Sequence, residues 1–116
     1  MNKKFRHIIF IAFAFIAFLA LLYHVKGIFY PTTSTPAWRH AIFVAVNIVC
    51  IYGCLKRPHW FVWFIAVLTI QQWYSHGSYA VEVWKTQHQI HWISVADIVL
   101  LPLLLLLLVA DKKNKS

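Results

Sequence analysis

Ile8–Tyr23 reads IIFIAFAFIAFLALLY, with no polar side chain between Ile8 and Leu22. With its flanking residues it is long enough to cross a hydrocarbon core of about 30 Å as a helix. Three more apolar stretches follow, Trp38–Leu55, Pro58–Tyr74 and Ile90–Ala110. The expected fold is all-α: a four-helix transmembrane bundle. It forms a single integral membrane domain over residues 1–116, with helices at about 6–24, 38–55, 58–76 and 90–110.

Charge sets the expected orientation. Lys3, Lys4 and Arg6, then Lys56 and Arg57, then Lys112, Lys113 and Lys115 share one side of those spans, whereas Lys26, Arg39 and Lys85 fall on the other. Basic residues collect on the cytoplasmic side, so both the N and C termini are expected there, in a bacterial inner (cytoplasmic) membrane. Trp60 and Trp63 then form an inner aromatic belt, and Trp38, Trp73, Trp84 and Trp92 an outer one.

Composition agrees. The chain is 61% hydrophobic and 12% charged, which suits a polytopic membrane protein. The net charge of +8 comes from short basic runs beside apolar spans. Orientation and anionic headgroups account for them, and no nucleic acid is expected as a partner. Lys3, Lys4 and Arg6 ahead of an apolar run imitate a secretion signal. Leu21, Leu22, Tyr23 and His24 are too bulky for a cleavage site, so an uncleaved first helix is expected.

Between the spans, Val25–Ala37 reads as a loop, with Gly27, Pro31 and Pro36; Pro36 disfavours the helical conformation at Thr35. Lys56-Arg57-Pro58 is so short a connection that the second and third helices should run antiparallel, with Pro58 at the first position of the third. Residues 78–88 either extend the third helix or lie on the interface as an amphipathic piece. Pro102 should kink the fourth helix. The alanines at positions 12, 14, 17 and 20 allow a neighbour to approach the first.

Polar residues inside a bilayer are costly, and each needs a reason. Asp97 is the most conspicuous, lying six residues inside His91, about 9 Å deeper along a helix. A carboxylate at that depth is paired, protonated or wetted, as a lock between helices or as a metal- or proton-handling group. His91, Ser94 and Asp97 follow one side of the fourth helix. Thr69, Gln72, His76 and Tyr79 make a stripe on the third, with Gln71 off it, and His40, Asn47 and Cys54 make one on the second. Turned inward, these tracks give a ligand pocket on the extracytoplasmic side from Asp97, His91, His76, Gln72, His40 and Asn47.

His24, His40, His76, His88 and His91 all fall at the extracytoplasmic ends. Imidazoles in such a set suit a transition metal, with Glu82 or Asp97 adding an oxygen, or a haem held by a pair from His24, His40 and His76. Alternatively, histidines suit the interfacial zone by carrying a polar tip on a flat ring. Cys50 and Cys54, four apart on one face, read as small packing residues, with metal or redox use the other reading. No nucleophile–base pair, paired catalytic carboxylates, HExxH or CxxCH motif is present, and three glycines are too few for a nucleotide loop.

The layout resembles the DoxX-like group of small four-helix membrane proteins. The residues concerned are Leu22-Tyr23-His24 ending the first helix, then the proline- and aromatic-rich outer loop. Leu55-Lys56-Arg57-Pro58 follows as a basic turn, and Gln71-Gln72-Trp73-Tyr74-Ser75-His76 ends the third helix. Where that group tends to carry a Gly–Glu pair in the second helix, this chain has Asn47, Cys50 and Cys54. The resemblance implies a small inner-membrane component, in some members tied to quinone-linked redox or thiol chemistry. No catalytic residue carries over.

The function expected is that of a non-catalytic component or accessory subunit, with an outer polar pocket for a small ligand or quinone. Other membrane subunits or a second copy are its expected partners, besides lipid. The alternative is a metal- or haem-handling protein using the histidine cluster.

Overall fold

A computed structural model describes residues 2–32 and 35–115, apart from the side chains of 112–115. It is helical throughout, without strands among the described residues: α1 Lys3–Phe29, α2 Ala37–Lys56, α3 Phe61–Gln87 and α4 Trp92–Lys115. The chain divides into two compact units, residues 1–58 and 59–116. Each is a helical hairpin, α1 packed on α2 and α3 on α4.

The apolar character of these helices lies on their outside. Phe15, Ile16, Phe18, Leu19 and Leu22 of α1 are exposed, as are Val99, Leu103 and Leu106 of α4. Water would penalise such a surface, and a bilayer would not. By length and composition α1, α2 and the Trp92–Asp111 portion of α4 can each cross a membrane. Helix α3 is long enough, but Thr69, Gln71, Gln72, Ser75 and His76 dilute its apolar character, and it does not join them.

The first hairpin begins with Asn2, whose side-chain oxygen accepts from Lys4 N–H at 2.7 Å and caps α1. The helix then runs past the loop boundary expected at Val25, through Gly27, to Phe29. Glycine alone does not break it. Tyr30 does, because it precedes Pro31 and leaves the helical region at φ −128°, ψ 64°. Phe10, Ala14 and Ala17 line the buried side of α1, so two of its four alanines serve close packing. On α2, Cys50, Gly53 and Cys54 are buried, and both cysteines are free thiols. Arg57 ends α2 in the left-handed conformation (φ 50°), donates its N–H to Gly53 O at 2.7 Å, and lays its guanidinium 4.8 Å from the Phe10 ring centre.

In the second hairpin α3 starts at Phe61, and Pro58 lies in the turn ahead of it rather than at its first position. The helix continues to Gln87, which settles the reading of 78–88: it is the end of α3. Ala80, Val81, Glu82, Val83 and Trp84 contain no breaker, and the Thr86 hydroxyl donates back to Glu82 O at 2.8 Å. His88 then closes the helix in the left-handed conformation (φ 53°), its N–H on Trp84 O at 3.0 Å.

Pro102 removes the N–H that would serve Ile98 O four residues earlier. The Trp73 indole N–H donates to that carbonyl at 3.0 Å. Trp73 thus joins α3 to α4 by a bond that the apolar surroundings require, since a freed backbone acceptor in hydrocarbon is costly.

Candidate functional site: imidazole clusters at the hairpin ends

Both hairpins carry histidine at the end nearest their connecting loop. In the first, His24 sits in the last part of α1 and His40 in the first turn of α2. Their Nδ1 atoms face each other at 2.8 Å. One ring donates and the other accepts, so the pair holds a single proton between the two nitrogens. His40 is buried; Tyr23 meets both rings edge-on, and Phe43 stacks on His24. Gly27 makes the arrangement possible. A Cβ there would fall onto the His40 ring, at Nε2, Cδ2 and Cε1.

In the second hairpin His91 stands immediately before α4, and its Nδ1 accepts from Ser94 N–H at 3.3 Å, capping the helix as an N-cap side chain does. The same nitrogen lies 2.7 Å from Ser94 Oγ. Ser94 is fully buried, and its hydroxyl also meets His76 Nδ1 at 3.0 Å. The other nitrogen of His76, Nε2, lies 3.0 Å from Asp97 Oδ2. His91, Ser94, His76 and Asp97 form one continuous hydrogen-bonded chain, running from the start of α4 toward the middle of the hairpin. The Tyr79 ring packs edge-on against His91, 4.8 Å between centres.

Of the residues expected to line a pocket, His76, His91 and Asp97 are therefore brought together. Gln72, buried one turn before His76, hydrogen-bonds to the side chain of the adjacent Gln71. Asn47 spends its amide on its own helix, donating to Phe43 O at 2.8 Å, and the Thr69 hydroxyl does the same with Ile65 O at 2.7 Å. His40 belongs to the other hairpin and pairs with His24. The concavity on α3, an open groove beside Gly77, Val81, Glu82 and Lys85, contains none of the expected pocket residues.

The five histidines proposed as ligands divide in the same way. His24 pairs with His40, His76 and His91 share Ser94, and His88 packs on Trp84. Within each hairpin, among the described residues, no group of three His, Cys, Asp or Glu is placed to hold a metal. At 2.8 Å the His24 and His40 nitrogens are closer than two nitrogens bound to one tetrahedral metal would be, about 3.3 Å. They are hydrogen-bonded to one another.

Ser94 is the residue that sequence reasoning underrated. It belongs to the polar track of α4, but a serine in a helix reads as neutral, whereas here it joins two imidazoles. The signal available was His91-x-x-Ser94 at a helix start, the spacing at which a side chain reaches the third N–H of the helix. No family model matches the chain, and no curated protein or solved structure proves similar to it.

Proposed function

We propose that the chain is a non-catalytic component of a membrane assembly, holding a small polar ligand of the quinone type at the His76–Ser94–Asp97 cluster. In this reading all four helices span the membrane, both termini are cytoplasmic, and the cluster lies toward the extracytoplasmic side of a bacterial inner membrane. The DoxX-like layout belongs to the same proposal. The observation that carries it is the Asp97 carboxylate, tied to His76 at 3.0 Å yet with 42% of its side chain exposed. Ile93 and Val99, close by on α4, are exposed and apolar.

A charged carboxylate facing lipid costs about 2.5–3.5 kcal/mol at mid-membrane and less near the surface. One imidazole offsets part of that cost. A ligand or neighbouring subunit bringing a hydrogen-bond partner to the exposed face offsets more. A ligand of the quinone type suits the place: in its quinol form a hydroxyl donates to the carboxylate, in its quinone form a carbonyl oxygen accepts from Asp97 once that is protonated, and its tail lies in the lipid beside α4.

The test is a titration of protein in lipid vesicles with a short-tailed quinone, read by quenching of tryptophan fluorescence. Trp73 and Trp92 lie close in sequence to the cluster. Wild type should quench saturably, Asp97→Leu should insert normally but bind at least about tenfold more weakly, a loss of about 1.4 kcal/mol. Equal binding by both proteins would refute the assignment. The metal- or haem-handling alternative requires the His24–His40 bond to open, and visible absorption with elemental analysis of detergent-purified protein separates it: a Soret band or stoichiometric metal favours it.

A further inference from the structure

We infer that His91, Ser94, His76 and Asp97 form a proton relay between the loop end of the α3–α4 hairpin and the Asp97 carboxylate. The inference rests on the reading above, that this cluster is the functional element, and adds what it does.

Three contacts of 2.7, 3.0 and 3.0 Å join the groups without a gap. Each inner member presents two atoms, or a hydroxyl that donates and accepts at once, which is what proton passage requires. In one state His76 Nε2–H donates to the Asp97 carboxylate and His76 Nδ1 accepts from the Ser94 hydroxyl. Ser94 Oγ in turn accepts from His91 Nδ1–H, which in this state gives up the bond from Ser94 N–H, and His91 Nε2 carries a lone pair. A hydronium ion at the loop end protonates that Nε2. The Nδ1 proton of His91 moves to Ser94 Oγ as the hydroxyl proton of Ser94 moves to His76 Nδ1. The Nε2 proton of His76 moves to Asp97 Oδ2. Every N–H or O–H bond broken is matched by one formed, leaving water outside and a neutral carboxylic acid inside.

The product state keeps all three contacts with their direction reversed, and it gains one. His91 Nδ1 now carries a lone pair, and Ser94 N–H donates to it at 3.3 Å. Both directions of the chain are thus provided for, one by the side chains alone and the other with help from the start of α4. Burial of Ser94 keeps water from shorting the hydroxyl. The other titratable groups at this end are Tyr79, whose ring meets His91, His88, packed on Trp84, and Glu82 and Lys85 along α3. None of them interrupts the four-membered chain.

A relay differs from a set of bonds that merely locks two helices, because it sets a rate. Full-length protein in vesicles is subjected to a rapid pH drop while the C=O band of the protonated carboxyl is followed by infrared spectroscopy, with Asp97→Asn identifying the band. Ser94→Ala should slow appearance of the Asp97 band by at least about tenfold. Ser94→Thr, which restores a hydroxyl, should recover the rate. Tracking both variants' thermal stability separates loss of the relay from loss of the fold. An Asp97 band that appears equally fast in Ser94→Ala, or no Asp97 band in wild type, overturns the relay. If quinone binding still depends on Asp97 in that case, the ligand site survives without it; if neither effect is seen, both readings fall.

Discussion

Replacing Gly27 by alanine probes the first hairpin at its tightest point. The new methyl would land on three atoms of the His40 imidazole, nearer than real Cβ atoms approach anything. His40 cannot swing aside cheaply, since it is buried, bonded to His24 at 2.8 Å and flanked by Tyr23. Overpacking of this kind costs about 1–3 kcal/mol. Breaking the His24–His40 bond adds about 0.5–1.5 kcal/mol. Against these, alanine in a helix interior gains about 0.5–1 kcal/mol over glycine. The net expectation is a loss of roughly 0.5–4 kcal/mol, with the overpacking term the largest. Gly77 of α3 is the internal control, because a Cβ there meets nothing within 4 Å. Gly77→Ala should be neutral or stabilising by up to about 1 kcal/mol. Unfolding of both variants in lipid or mild detergent, followed by circular dichroism, measures the contrast. Equal gains at the two positions would refute the claim that Gly27 exists to seat His40.

Trp73→Phe should cost about 1 kcal/mol in wild type and much less in a Pro102→Ala background, where Ile98 O regains its own helical donor; a double-mutant cycle reads the difference. His88→Gly should stabilise the second hairpin by up to about 1 kcal/mol in thermal unfolding, because glycine adopts the left-handed conformation of that cap without steric cost. Single-cysteine variants at Lys3 and Lys113 should resist a membrane-impermeant thiol reagent added to intact cells. Labelling of either from outside would reverse the proposed orientation.

The apolar stretches made the helices legible, and their polar interruptions pointed to the end of the hairpin where the cluster forms. Helix ends were less legible for identifiable reasons. Gly27 looked like loop material because its role, accepting the His40 ring, exists only once α2 is packed. Pro58 suited a helix start by itself, yet the left-handed Arg57 before it leads into a turn instead. In the site, the side of each helix on which Asp97 and His76 lie could be read from spacing. Their joining through Ser94 could not, because the pattern along one helix does not say which rung of the next it faces. The local bonds of Asn47 and Gln72 were equally illegible, because spacing does not show that a polar side chain in a helix can satisfy itself on its own turn or its sequence neighbour.

Photo-crosslinking shows whether the loop end of α3–α4 is the functional element. A quinone carrying a photoreactive group near its ring is bound to the protein in vesicles, irradiated, and the adducts are mapped by mass spectrometry. Adducts should concentrate at residues 72–79 and 91–98, be competed away by unlabelled quinone and be lost in Asp97→Leu. Adducts spread along the exposed apolar residues of α1 and α4, unaffected by competitor or by Asp97→Leu, would rule out a site there.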